Sequence, residues 1–448
     1  MSLFPLLILW CSLFALLGSL VGGIAGLVPG LHPNTLASVF STFPIFLLLC
    51  SSPIGSDAGP ILFGCFLVGL LLSHSMTEII VTATMGVASD DTIVALLPSQ
   101  RLHAMGRGDL VIECTLIGGL GAVILFTVIM LPIRIVLGSP IGLYSLIKPM
   151  LGLILIAICT IVLFSGRNLM TIICSFQIFF CAGILGMLVL TLQIPSALSH
   201  QIFGQIWSAE SSDFLLPAFT GFFAIPGIIL PRISTMRMNL DRAPVEEIRI
   251  GRIKPLLRSL IPATLVGWLP GITNAYATSL IMMWKKEKSQ GIVSSCAYII
   301  TYSATNIGGS LSSIIALATI SRSRNGILQA IDEHFPFGQL LWSDIAHPQI
   351  SILAFLWAGC IGAIVGAYLC KRFGSRILKI PSLAQKRILR FSLIVFIFSL
   401  VLLISGPVGT LLLLTCFALA IWAVRNRVSR IHLMGFMLIP AIAYFLSN

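Results

Sequence analysis

Polar side chains suited to binding a small anion follow two interruptions of long apolar sequence. Each interruption has the order Gly, two other residues, Pro, Gly, and Asn and Thr follow within five residues. A helix that starts after such a break presents unpaired backbone N–H groups and about half a positive charge, which suits a carboxylate. The predicted substrate-binding residues are Gly26, Pro29, Gly30, His32, Asn34, Thr35, Pro270, Gly271, Thr273 and Asn274. Because Asn and Thr are also ordinary helix N-caps, a purely structural role for them stays open.

The two interruptions are related by a fixed spacing. Gly26, Pro29 and Gly30 each lie 241 positions before Gly267, Pro270 and Gly271. The spacing continues downstream, in pairs that are 121–122 with 362–363 and, after a slip of one, 165–166 with 405–406. The chain is therefore predicted to contain two copies of one unit. Interrupted segments at equivalent places in two halves are typical of a transporter's binding site. Two ordinary kinked helices are the alternative.

Acidic and amide side chains provide further candidates. Asp90 and Asp91 end a weakly hydrophobic segment, and ionisable residues at membrane depth are functional hypotheses by default. One of them is predicted to bind a coupling Na⁺ or to carry a proton, the alternative being a solvated loop pair. Thr305 and Asn306 precede Gly308-Gly309 like a second polar break, and they join the predicted substrate-binding residues.

The composition sets the class of protein. The 448 residues are 57% hydrophobic and 9% charged, whereas soluble domains carry about 25% charged residues. We predict an all-α polytopic membrane protein of the cell membrane, with about ten to twelve transmembrane helices in two structural repeats with broken or re-entrant helices. The predicted division is a first repeat at 1–231, a basic cytoplasmic linker at 232–258 and a second repeat at 259–448. No cleavable signal pattern stands out, so the first segment is expected to be retained.

The charge distribution argues against nucleic-acid binding, and the cysteine spacing argues against a metal site. The net charge of +12 is spread over short loops between apolar segments, which is the positive-inside pattern and not a nucleic-acid surface. The eleven cysteines show no spacing typical of metal ligands. No metal and no cofactor are predicted, apart from the coupling Na⁺ or H⁺.

Two other functions remain open. One is a channel or passive membrane scaffold, although a channel has no need for two equivalent broken helices. The other is an intramembrane enzyme acting on lipid-linked substrates, which the acidic pair suggests. However, no third Asp follows at metal-binding spacing, and no His-Glu-x-x-His or Gly-x-Ser-x-Gly motif occurs.

Several segments in chain order carry a likeness to one known family. They are residues 26–33, 73–74, 86–91, 97–102, 106–108, 269–274, 303–306 and 321–326. Together they resemble the large permease subunit of the tripartite tricarboxylate transporters, the TctA family, and most closely its archaeal-type branch. The resemblance implies secondary transport of small organic anions, of the di- and tricarboxylate class, and no enzymatic activity. It also implies, as in bacterial relatives, a small membrane subunit and an extracytoplasmic substrate-binding protein as partners.

The charge pattern predicts the orientation of three loops. The linker 232–258 and the loops 371–390 and 425–430 should face the cytoplasm, because Lys and Arg are in excess there. Single cysteines placed in each loop should react with an impermeant thiol reagent only after the membrane is opened. Labelling of the linker in intact cells would contradict this orientation.

Overall fold

A computed structural model describes residues 3–203, 211–230, 251–284, 291–335, 340–380 and 387–447, except positions 43, 52, 54, 56, 57, 167 and 324. All regular elements in these residues are helical. They are α1 Leu3–Ala25, α2 Pro33–Thr42, α3 Pro44–Ser51, α4 Gly59–Met85, α5 Leu96–Ala104, α6 Gly108–Leu137, α7 Leu143–Ile147, α8 Leu151–Leu163, α9 Leu169–Gly186, α10 Ile194–Phe203, α11 Leu215–Phe219, α12 Ile225–Ile229, α13 Ile253–Arg258, α14 Leu260–Trp268, α15 Asn274–Trp284, α16 Ile292–Ile320, α17 Gly326–Glu333, α18 Ile350–Ile377, α19 Arg387–Arg425 and α20 Gly435–Ser447.

Nine helices among the described residues are long and apolar enough to cross a membrane. This confirms the predicted all-α polytopic membrane protein. Other apolar segments form shorter helices, such as Leu215–Ile229. Most of the predicted linker, residues 232–250, lies outside the described part of the chain, as does position 324 after α16.

The first interrupted segment folds as a helical hairpin. A methyl group on Gly18 would overlap the carbonyl oxygen of Phe66, and one on Gly22 would overlap that of Leu70. Between these two contacts the residue number rises in both helices, from 18 to 22 in α1 and from 66 to 70 in α4, so α1 and α4 run parallel. Because α4 begins on the side where α1 began, α2 and α3 must carry the chain back. Residues 26–32 are therefore the tip of a hairpin, here called the first tip.

The second interrupted segment forms a matching hairpin against α16. Thr301 Oγ1 donates to the carbonyl of Pro255 at 3.1 Å, and Ser312 Oγ donates to that of Thr264 at 3.5 Å. These contacts make α13 and α14 parallel to α16. The return is made by α15, since its Asn274 side chain bonds Asn306, whereas Ser279, further along, bonds Tyr298. Residues 269–273 at the turn are called the second tip.

The two hairpins approach from opposite directions. A methyl group on Gly359 would touch both Val68 of α4 and Leu311 of α16, whereas Glu78 of α4 meets Tyr302. Between these two contacts the residue number rises along α4 from 68 to 78 and falls along α16 from 311 to 302, so the two helices are antiparallel. Two inverted copies of one unit produce this arrangement. The exact division of the chain into repeats stays a prediction.

Small residues allow the two halves to interleave. A methyl group on Gly118 of α6 would collide with Ser303 of α16, and one on Gly362 of α18 would collide with Gly69 of α4. Each half thus packs a long helix against a helix of the other half. Close backbone approach at small residues is the usual source of helix association in a membrane, where no hydrophobic force acts between helices.

The structure corrects one predicted helix break, in α16, and shows a kink within the long helix α19. The second polar break expected at Thr305-Asn306 is wrong, because α16 is continuous from Ile292 to Ile320. Within α19, Gly406 has φ 65° and ψ −167° and divides the 39 residues into two helices. One straight helix of that length would measure about 58 Å, almost twice the hydrocarbon core of a bilayer.

The close contact of α1 with α4 predicts a steric effect. Gly22→Leu should lower the thermal stability of the purified protein, since overpacking costs about 1–3 kcal/mol or more when backbone is the obstacle. Gly291→Leu is the matched control, because no atom lies within 4 Å of its added Cβ. Equal melting temperatures for the two variants in detergent would contradict this packing.

Candidate functional site

A cavity of about 480 Å³ lies where the two tips meet. Its walls are both tips, the start of α2, parts of α4, α16 and α17, and residues 86–92 after α4, here called the acidic loop. Thr220 and Ala224 also line it, from a short π-helical turn between α11 and α12. Such turns are frequent at functional sites.

Most of the predicted site residues line this cavity. They are Gly26, Pro29, Gly30, His32, Asn34, Thr35, Asp90, Asp91, Gly271, Thr273, Asn274 and Asn306. Pro270 and Thr305 are not among the lining residues. Thr305 is fully buried and donates to the carbonyl of Thr301 within α16, so its role is in the helix. Binding of a substrate by the lining residues stays a prediction.

A glycine turns the backbone at each tip. The φ angle is 88° at Gly30 and 74° at Gly271, a region that L side chains rarely adopt. A Cβ on Gly30 would also lie 3.0 Å from Ile397, and one on Gly271 would lie 3.2 Å from Leu438. The positive φ therefore favours glycine at both positions, and the space for a side chain is tight.

The first tip is tied to α4 and to the acidic loop. His74 Nε2 donates to the carbonyl of Leu31 at 2.9 Å, which satisfies a backbone group freed by the helix break. His32 Nε2 lies 3.5 Å from Asp90 Oδ1. The other ring nitrogen of His32 accepts from the Asn34 N–H at 3.2 Å. The ring thus presents Nε2 to Asp90 while Nδ1 faces the backbone of Asn34.

The second tip is held by the same loop. The backbone N–H of Asn274, at the start of α15, donates to Asp91 Oδ1 at 3.0 Å. The sequence had assigned this helix start to a substrate anion. In the structure a carboxylate of the chain already occupies that donor, as expected for a negative charge at a helix N-terminus.

Glu78 connects the loop with α16. Its carboxylate accepts from Asn306 Nδ2 at 3.1 Å, from Ser89 Oγ at 3.3 Å and, at the limit, from the Tyr302 hydroxyl at 3.5 Å. Asn306 Oδ1 in turn accepts from Asn274 Nδ2 at 2.9 Å. The hydrogen bonds run from the acidic loop through α4 and α16 to the second tip and return to the loop through Asp91. Each partner of Glu78 is an N–H or O–H group that can donate to its carboxylate oxygens.

Three side chains of the site could offer ligand atoms to a metal ion. Ligand atoms of His32, Asp90 and Asp91 lie within 4.8 Å of one another. A metal needs a free lone pair on the imidazole nitrogen. However, Nε2 of His32 carries the proton when the other nitrogen accepts from Asn34. The residues do not fit a transition-metal site in this conformation.

The cavity wall is acidic. Its described lining residues include five carboxylates and no Lys or Arg, the carboxylates being Glu78, Asp90, Asp91, Asp213 and Glu333. Asp90 is only 6% exposed, and apart from His32 its Oδ1 has no hydrogen-bond partner among the described residues. A buried carboxylate oxygen of this kind favours binding of a positively charged group.

Comparison with known proteins decides the family. A family model described as the tripartite tricarboxylate transporter TctA family matches residues 13–435. The chain belongs to this family. Membership makes it a transporter permease of a multi-pass membrane type, which supports a non-enzymatic role. It also supports a small membrane subunit and a substrate-binding protein as partners of this TctA-family chain.

A curated relative extends over the same length. The chain is 25% identical over 449 aligned positions to an uncharacterized protein of Methanocaldococcus jannaschii, covering 97% of this chain and 98% of the relative. No solved structure matches this TctA-family chain significantly.

From the sequence, Glu78 is a weaker ionisable candidate than Asp90 and Asp91, and its central position in this permease was not predicted. The signal was present, since Glu78 is the one acidic residue within the apolar segment that forms α4. Its partner Asn306 was among the predicted site residues, but it was placed at a helix break that α16 does not have. Ser89 and Tyr302 carry no signal of their own, because hydroxyl side chains are common in membrane helices and loops.

The network predicts unequal effects of neighbouring substitutions. Asn306→Ala removes a partner from both Glu78 and Asn274, and unsatisfied buried groups cost about 1–3 kcal/mol each. Thr305→Val is the matched control, since Thr305 bonds only within its helix. Thermal unfolding in detergent should show a clear loss for Asn306→Ala and little change for Thr305→Val. The reverse order would exclude the network as a source of stability.

Proposed function

We propose that this TctA-family permease carries small organic anions of the di- and tricarboxylate class across the cell membrane by cation-coupled secondary transport. The observation that carries the proposal is the single cavity lined by both Gly30 and Gly271. Discontinuous helices of two opposed repeats that meet near mid-membrane are the usual site of substrate in secondary transporters.

The polarity of the cavity supports a small carboxylate as substrate. Hydroxyl and amide groups line the side between α2 and α17, including Thr35, Ser38, Asn325 and Gln329. Each can donate to carboxylate oxygens. With Asp91 on the N-terminus of α15, these side chains replace the helix start as donors for the anion.

The acidic loop supports coupling to a cation. An anion cannot approach the carboxylates of Asp90 and Asp91 favourably unless a positive charge accompanies it. Na⁺ or H⁺, the ions predicted from the sequence, would supply that charge. A cation bound here would also draw the loop and the two tips together, since the loop contacts both.

The partners follow from the family. We propose that the permease works with a small membrane subunit and an extracytoplasmic binding protein that delivers the substrate. The described residues offer mostly apolar outer helix faces, as expected for contact with lipid and with a membrane subunit.

Counterflow in proteoliposomes tests the proposal. The wild type should exchange a labelled di- or tricarboxylate for unlabelled substrate, whereas a channel gives unsaturable flux. Gly30→Val and Gly271→Val should each reduce exchange at least tenfold, because a β-branched residue is strained at positive φ. Gly106→Val is the matched control, with φ 75° and no atom within 4 Å of its added Cβ.

Matched amounts of inserted protein make this comparison valid. Near-normal exchange by both tip variants would show that the substrate does not bind at the tips. Loss in Gly106→Val to the same degree would show that the effect comes from folding and not from the cavity.

A further inference from the structure

The buried carboxylate of Asp90 belongs to a cavity wall that has five carboxylates and no Lys or Arg among its described residues. Its Oδ1 meets only the His32 ring among the described residues, at 3.5 Å. Asp91 lies beside it and Glu78 lines the same cavity. A buried carboxylate oxygen without a close donor indicates a ligand that donates hydrogen bonds.

The geometry around Asp90 favours a positively charged hydrogen-bond donor over a bare metal ion. His32 is not arranged to bind a metal, because its Nδ1 accepts from the Asn34 backbone. Asp90 also faces a cavity of about 480 Å³ and not a closed cage of oxygen ligands. A bare ion held in a protein needs several such ligands around it. A protonated amine needs only a few acceptors on one side, and it can belong to a larger molecule.

We propose that Asp90 binds a protonated amine of the substrate, so that this permease selects small carboxylates that also carry an ammonium group. The inference rests on the proposed transport function, names its substrate class and leaves Asp91 of the acidic loop as the candidate for the coupling cation. The amine would lie against Asp90, on the side of the acidic loop. The carboxylates of the same molecule would face the hydroxyl groups at the start of α2, such as Thr35 and Ser38.

This arrangement resolves the charge problem of the cavity. A plain dicarboxylate brings two more negative charges to a wall that already holds Asp90, Asp91 and Glu78. An amino dicarboxylate presents its positive group to that wall and its negative groups to neutral donors. Since Coulomb interactions grow in a low dielectric, the difference between the two ligands should be large.

Pairs of substrates that differ only by the amine test the proposal. Counterflow is measured with wild-type proteoliposomes for L-aspartate against succinate and for L-glutamate against glutarate. The amino compound should be exchanged with at least tenfold higher kcat/KM in each pair. Asp90→Asn should remove this preference by weakening the amino compound, and Asp90→Glu should keep it. Asp344→Asn is the control, because it removes an exposed carboxylate that does not line the cavity, and it should leave the preference unchanged.

Each other outcome decides against the inference. Equal or better exchange of succinate and glutarate by the wild type would overturn it and leave anion transport standing. If Asp90→Asn abolishes Na⁺ stimulation of both members of a pair without changing their ratio, Asp90 binds an inorganic cation instead. If neither member is exchanged, the proposed function fails together with the inference. The wild-type ratio needs no variant, so poor folding of Asp90→Asn leaves the test intact.

Discussion

One short loop holds both helical hairpins of this protein. Asp90 lies against His32 in the first tip, and Asp91 accepts from the backbone of Asn274 at the second. Ser89, in the same loop, donates to Glu78 of α4. Broken helices in a membrane must find partners for their freed backbone groups. Here a loop of the first half supplies one of those partners to the second half, so the two tips cannot be placed independently.

The loop can reach both tips only because the helices are arranged with opposite directions. The first hairpin runs along α4, the second along α16, and these two helices are antiparallel. Interleaving at Gly118 and Gly362 brings each half within contact distance of the other. The small residues in the long helices and the polar residues at the tips therefore depend on each other. The small residues let the helices of the two halves approach closely, and at that distance the polar residues of the tips and the acidic loop can form hydrogen bonds.

The sequence predicted the elements of this arrangement better than their connections. The Pro-Gly order at fixed spacing located both tips, because no lipid-facing helix tolerates such residues without a reason. The bond between Glu78 and Asn306 was not predictable, since it joins α4 and α16 across a crossing that depends on the whole fold. The run Thr305 to Gly309 was wrongly predicted to break its helix. Inside a buried helix, small and polar residues serve close packing and hydrogen bonding just as well.

The same limit applies to the charge of the site. From the sequence, two helix starts supply positive potential to an anion. In the structure, Asp91 occupies one of them, and Asn34 at the other donates its N–H to His32. Because a helix start attracts negative groups, a carboxylate of the chain itself can occupy it, as Asp91 does here. The cavity then depends on a positive group that arrives from outside.

The central claim is that both tips form one substrate site. Single cysteines replacing Thr35 next to the first tip and Thr273 in the second, each compared with the parent protein, should react with a small thiol reagent in membrane vesicles. A transported carboxylate should slow both reactions with the same half-maximal concentration, because one bound molecule covers both positions. Protection of only one position, or protection at clearly different concentrations, would contradict a shared site.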